Sequence, residues 1–462
     1  MGLLSKKTFE SVKAVSAASL LNKTLTAFDL ILIGLGAIIG TGVFVLTGSI
    51  AANYSGPAVM ISYAIPGIIC IFVALAYSEL AVMLPTSGSI YTYTYVAFGE
   101  IFAWMTVGVL LLELTFGAAT VSAAWGSYVM HIIEIGGFSL PKSLTTVPSE
   151  GGIINLPAII IVSSVTLVLY FGTKDSKRLN AILVFIKLGA ISAFIIAAVP
   201  NFKVSNWEPF MPHGIHDVLI GASVLFFAFN GFSIIPTAAE ECKNPKRDIT
   251  IGIIGALTIT TLIYILIGGL VTGIVSYTEL NNAQPLAHAL LLNNNKIGSI
   301  IVAIGAIGGM TTVLMMNIYG TSRIAYSIAR DGLLPKTFTN VHSKYDTPYV
   351  ALFSVAVLTA FLGAFFPCMQ LAKLTSMGAL IDYILVVSIM VMFRITMPKV
   401  ERTFKCPLIF IVAPLSILAC GYLLSKQVFD KSGLLSTEGV YLISWIIFIT
   451  LLYFPIKFFR QK

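Results

Sequence analysis

Charge is what this sequence has least of. Asp, Glu, Lys and Arg make up 10% of its 462 residues, where a soluble domain carries about 25%. With a mean hydropathy of +0.94, that scarcity excludes a water-soluble fold and implies a chain that crosses a membrane many times. Cysteine is sparse as well. Cys70, Cys242, Cys368, Cys406 and Cys420 have no CxxC or metal-ligand spacing, so neither a disulfide framework nor a metal site is expected. The sequence has no Walker loop, no HExxH and no haem or iron–sulfur spacing, so no cofactor is expected. Gly34, Gly36 and Gly40 loosely match a dinucleotide-binding pattern, but they lie inside an apolar run and follow no soluble strand. The N-terminus carries lysines without a short apolar core and cleavage site, so the first apolar run is expected to be retained.

What is abundant is apolar sequence, at 57%. It falls into twelve candidate helices, at about 27–52, 57–83, 99–130, 154–173, 179–199, 215–241, 250–275, 297–322, 349–366, 371–395, 406–425 and 438–456. Each is near the length a bilayer demands at about 1.5 Å per residue. The formal charge of +8 does not indicate nucleic acid, because the basic residues are scattered between the apolar runs. If the N-terminus is inside, 21 of the 28 Lys and Arg fall in inside loops, six fall outside, and Lys187 lies within a helix. That asymmetry predicts cytoplasmic termini, with residues 1–26 and 457–462 as cytoplasmic segments. The loops are too short for a separate soluble domain, which argues against an extramembrane active site.

Two of the helices contain interruptions. The first holds Gly34, Gly36, Gly40 and Gly42, and glycine weakens a helix interior by about 1 kcal/mol relative to alanine. The sixth holds the turn-like pair Asn230-Gly231, then Pro236, which cannot donate to a helix ladder. Two broken helices five apart fit an inverted five-plus-five repeat, 27–199 and 215–395, with 406–456 as two added helices. Freed amides and carbonyls at such breaks can hold a small ligand.

Glu113 and Lys187 lie at depth, and Asp382 is a third candidate. A charge there costs at least about 2.5–3.5 kcal/mol, so each needs a partner or a task. An ammonium at Lys187 could replace a sodium ion on the unwound carbonyls, bridging the first helix to the fifth and eighth. Coupling would then be to protons or to no ion. Glu113 would share a face with Gly117 and Thr120 at helical spacing. Phe226, Phe227, Phe229 and Phe232 read chiefly as packing, with Phe229 and Phe232 the better gate candidates.

These residues resemble the amino acid–polyamine–organocation superfamily, and within it the cationic amino acid transporter family and its bacterial relatives. Four stretches carry the likeness: Ile38–Val45, Pro85–Tyr93, Thr237–Asp248, and Arg330–Lys336 followed by Thr347-Pro348. The resemblance implies a secondary active amino acid transporter, proton-linked or exchanging one amino acid for another, working by alternating access in a cell inner membrane of bacterial type with a free amino acid as substrate. It places the α-carboxylate and α-amino group on Ile39, Gly40, Thr41 and Gly42 and on Phe229, Asn230, Gly231, Phe232 and Ser233. It also matches Lys187 and Glu113 to coupling positions. Relatives often carry an acid where this chain has Ser233, which leaves a cationic, small neutral or broad substrate open. The competing expectations are a polyamine or other organic-cation carrier, and an amino acid sensor on the same scaffold.

Overall fold

The computed structural model describes residues 6–9, 25–84, 86, 88–171, 173–345, 347–402, 404–430 and 433–460. Most of the expected 1–26 segment, Pro85 and Ser87 of the second motif, and residues 461–462 of the tail lie outside them. Among the described residues there is no named strand, and helix occupies all twelve expected stretches. Helix α1 is Ala27–Ile38, continued after a break by turns Gly42–Leu46, Thr47–Ile50 and Ala51–Ser55. Helix α2 is Val59–Met83, and α3 runs through Glu100–Leu110, Leu111–Phe116 and Gly117–Ile135. Next come α4 (Leu156–Tyr170) and α5 (Thr173–Ala198). Helix α6 comprises Gly214–Leu225 with the tighter turns Phe226–Phe229 and Phe232–Glu241. The rest are α7 (Pro245–Ile274), α8 (Lys296–Arg330), α9 (Tyr349–Phe365), α10 (Cys368–Thr396), α11 (Ile409–Val428) and α12 (Thr437–Arg460).

Nine helical runs among the described residues are long and apolar enough to cross a membrane. The first half of α1, α4 and α9 are apolar but shorter, at 12, 15 and 17 residues. This is a polytopic, all-helical membrane protein. Helix α8 continues past its expected end at 322 to Arg330, because a helix need not stop where the hydrocarbon does.

Burial separates a centre from a rim. In the most apolar window of Gly214–Pro236, 89% lies inside the protein, against 22% for Thr437–Ile456. The broken α6 is therefore core, and α12 turns its apolar side chains outward. The packing partners also follow a pattern. Helix α2 packs on α7, α3 on α8 and α4 on α9. Helix α5 packs on α8 as α10 packs on α3, and α1 on α7 as α6 on α2. Adding or subtracting five helices maps each of these pairs onto another pair or onto itself.

Local chemistry sets the helix ends. Thr26 caps α1: its Oγ1 accepts from the Asp29 amide, and Asp29 accepts from the Thr26 amide at 2.8 Å. Glu79, near the end of α2, is fully buried rather than solvated. It accepts from Arg394 at 2.6 Å and the Cys406 amide at 2.7 Å, and pairs with Arg402 at 3.0 Å. That cluster ties α2 to the α10–α11 connection.

Candidate substrate site at the two helix breaks

The α1 ladder stops at Ile39, which is extended (φ −75°, ψ 106°). The first bond of the next segment runs from the Phe44 amide to the Gly40 carbonyl, at 3.3 Å. Amides at a helix start have no acceptor within the helix, so those just after the break, at Thr41 and Gly42, point back into it. The carbonyls of Gly36 and Ile39, before it, are taken up by side chains. Lys187 Nζ donates to Gly36 O and Ile39 O, both at 2.9 Å, and to Thr312 Oγ1 at 3.3 Å. Thr312 Oγ1 in turn reaches Gly36 O at 3.0 Å. Lys187 is completely buried, so α5 and α8 grip the break through one ammonium and one hydroxyl. Gly309 makes room for it, since a Cβ there would stand 3.2 Å from Lys187 Cδ.

The α6 break is built differently. Asn230 is extended (φ −61°, ψ 143°) and Gly231 has φ +111°, a conformation that favours glycine. Asn230 Nδ2 donates to the Glu113 carbonyl at 3.0 Å, and Ser233 Oγ donates to Glu113 Oε1 at 3.3 Å. Glu113 lies in Leu111–Phe116, a π-helical turn of α3, and such turns are frequent at functional sites. Its second oxygen, Oε2, lacks a hydrogen-bond partner among the described residues, as do Asn230 Oδ1, Thr41 Oγ1 and Asn317 Oδ1. A Cβ at Gly117 would stand 3.3 Å from Thr375, 3.5 Å from Asn230 and 3.6 Å from Asn317. Helices α3, α6, α8 and α10 thus converge there on polar groups.

The breaks cross each other. Gly42 lies against Ala228, and a Cβ at Gly231 would stand 2.6 Å from Ala37 O. Each contact sets a residue at or just after one break against a residue just before the other. Tyr264 of α7 spans both breaks, with its hydroxyl 3.1 Å from Ile38 O and 2.9 Å from Ala228 O.

Lys187 and Glu113 do not pair with each other among the described residues; the cation goes to α1 and the acid to α6. The phenylalanines also diverge: Phe229 packs on Tyr264 at 5.3 Å and Phe232 on Tyr383 at 5.0 Å. Thr120 Oγ1 turns back to Phe116 O at 2.8 Å instead of lining the polar convergence. Sequence reasoning missed the tyrosines that take up freed carbonyls. Besides Tyr264, Tyr63 donates to Gly42 O at 2.9 Å and Tyr128 donates to Phe44 O. It also missed Asn317, an amide buried deep in an apolar run, whose cost at depth was a usable signal.

A polytopic helical protein with two crossed helix breaks, one held by a buried ammonium and one by a buried carboxylate, has the architecture of a membrane carrier. Residues 25–453 match the profile of the amino acid permease family. The chain belongs to that family, and it is a transporter rather than an enzyme. It is 39% identical to the branched-chain amino acid permease BcaP of Bacillus subtilis (strain 168), over 91% of each chain. It is 35% identical to the methylthioribose transporter of the same strain, over 98% of this chain and 97% of that one. With the chloroplastic cationic amino acid transporter 9 of Arabidopsis thaliana the identity is 36%, over 84% of this chain and 69% of the relative.

Proposed function

We propose that this protein is a secondary active amino acid transporter working by alternating access. Residues 27–199 and 215–395 are its two inverted repeats, and 406–456 supplies two helices outside them. The five-helix offset in packing partners supports the repeat. The basic residues support cytoplasmic termini, and the bacterial relatives support an inner membrane. One observation carries the reading: the amide end of the second half of α1, with Thr41 Oγ1 and Asn230 Oδ1, which have no partner among the described residues, lies at the crossing of α1 and α6. An α-carboxylate takes the amides of Gly40, Thr41 and Gly42, and an α-ammonium takes acceptors at the α6 break. Ile39, Phe229, Gly231 and Phe232 shape the space around them.

The substrate side chain is apolar or small and neutral in this reading. Ser233 puts no charge at its position, and the branched-chain permease is the 39% relative. A second reading, an organic-cation or polyamine carrier, is favoured by Glu113 Oε2, a buried carboxylate oxygen without a partner among the described residues. Counterflow in proteoliposomes decides between them. Liposomes preloaded with unlabelled leucine should accumulate labelled leucine, and putrescine or methylthioribose should not compete. Absence of counterflow with all twenty amino acids would end the carrier reading.

A further inference from the structure

Lys187 and Glu113 are explained by the two breaks, but Asp382 on α10 is not. It is fully buried, and neither carboxylate oxygen has a hydrogen-bond partner among the described residues. Helix α10 touches the π turn of α3 closely: a Cβ at Gly378 would stand 3.0 Å from the Glu113 amide nitrogen. Asp382 lies four residues further along the same face, about 6 Å in rise. Its neighbour Tyr383 packs between Phe226 at 5.5 Å and Phe232 at 5.0 Å. Tyr77 of α2 meets both Phe232 and Tyr93. The hydroxyls of Tyr93 and Tyr383 are likewise without partners among the described residues. The titratable groups within electrostatic reach of Asp382 are Glu113 from α3, Tyr77 from α2 and Tyr383 beside it; Cys70 from α2 reaches Glu113 and Tyr383, Cys420 from α11 reaches Cys70, and Tyr93 from the short helix Ser89–Ala97 reaches Tyr77. No basic side chain pairs with Asp382 among the described residues.

This part of the core has two carboxylates, while the ammonium of Lys187 is taken up by the carbonyls of α1 and the Thr312 hydroxyl. Two carboxylates this deep cannot both ionise without a large desolvation cost, so the pair holds a proton. Glu113 receives a hydrogen bond from Ser233, and Asp382 receives none. A metal ion is poorly served, because no three His, Cys, Asp or Glu side chains gather among the described residues.

We propose that Asp382 is the proton-carrying group of this protein: it holds one proton while Glu113 stays ionised, and it exchanges that proton during the transport cycle. This inference rests on the carrier reading and names its coupling ion. In proteoliposomes, a one-unit pH gradient should drive about tenfold accumulation if one proton accompanies each substrate. Asp382→Asn should lose that accumulation and keep counterflow at equal pH. Gradient-driven accumulation at the unmutated level in Asp382→Asn would overturn the proposal. If the variant does not fold, the unmutated protein still decides. A lipophilic carbodiimide, which reacts with protonated carboxyls, should modify Asp382 at neutral pH as read by peptide mass spectrometry. Modification at Glu113 with Asp382 untouched would overturn it. Failure of the carrier reading would appear separately, as absence of counterflow in the unmutated protein, while the labelling would still report on Asp382.

Discussion

The two helix breaks look alike in sequence and are furnished in opposite ways. At the α1 break, the carbonyls of Gly36, Ile39 and Gly42 have side-chain donors of their own, from Lys187, Thr312 and Tyr63, and Ile38 O shares Tyr264 with Ala228 O of the other break. At the α6 break, Glu113 and Asn230 make one side-chain bond each, through Oε1 and Nδ2, and keep Oε2 and Oδ1 unpartnered among the described residues. A break whose acceptors are satisfied holds its shape without a ligand. A break with buried polar atoms left over holds a penalty that a ligand can remove. The contrast leaves α1 with a fixed backbone geometry and α6 with buried polar groups that a ligand can satisfy.

The largest test of that contrast is Lys187→Met. It strips the ammonium from two carbonyls, and hydrogen bonds to a charged group are worth about 1.5–3 kcal/mol each. Counterflow should fall to background, and the melting temperature of the purified protein should drop. Normal uptake would mean that the α1 break holds itself. Next is Gly231→Val. A side chain there meets Ala37 O and forces a residue with φ +111° into a strained region, costing about 1–3 kcal/mol. Uptake should fall by about tenfold, the equivalent of about 1.4 kcal/mol.

Ser233→Asp probes the α6 side directly. It sets a second acid where Ser233 Oγ lies 3.3 Å from Glu113 Oε1. Competition by arginine against labelled leucine should strengthen about tenfold, for about 1.4 kcal/mol of added attraction. If arginine gains nothing, Ser233 is not the side-chain selector. The smallest effect is expected of Tyr264→Phe, which removes one shared neutral hydrogen bond worth about 0.5–1.5 kcal/mol. A small drop in melting temperature with uptake largely kept fits the contrast; complete loss would make the phenol as important as Lys187.

The breaks were readable because their causes are local. Four glycines between Gly34 and Gly42, and Asn230-Gly231 ahead of Pro236, weaken a helix wherever they occur. Lys187, Glu113 and Asp382 were readable because charge at depth is costly. What the sequence did not reveal depends on long-range partners. Nothing near Tyr63, Tyr128 or Tyr264 marks them as donors to carbonyls of α1, and nothing near Glu79 announces Arg394 and Arg402. The π turn at Leu111–Phe116 has no residue signature, since it is an extra residue that the surrounding packing tolerates. Helical spacing therefore put Thr120 with Glu113 and Gly117. In the structure Gly117 faces Asn230, Asn317 and Thr375, while Thr120 bonds its own helix.

Tyr264 has one hydroxyl hydrogen and two claimants, Ile38 O at 3.1 Å and Ala228 O at 2.9 Å. At any instant the hydrogen serves one of those carbonyls. The arrangement is a toggle: satisfying either claimant from elsewhere releases the hydrogen to the other. An ammonium that settled beside Ala228 would hand the phenol to Ile38. On the proposed reading, occupation of α6 would in this way be felt at α1 through the turning of a single O–H bond.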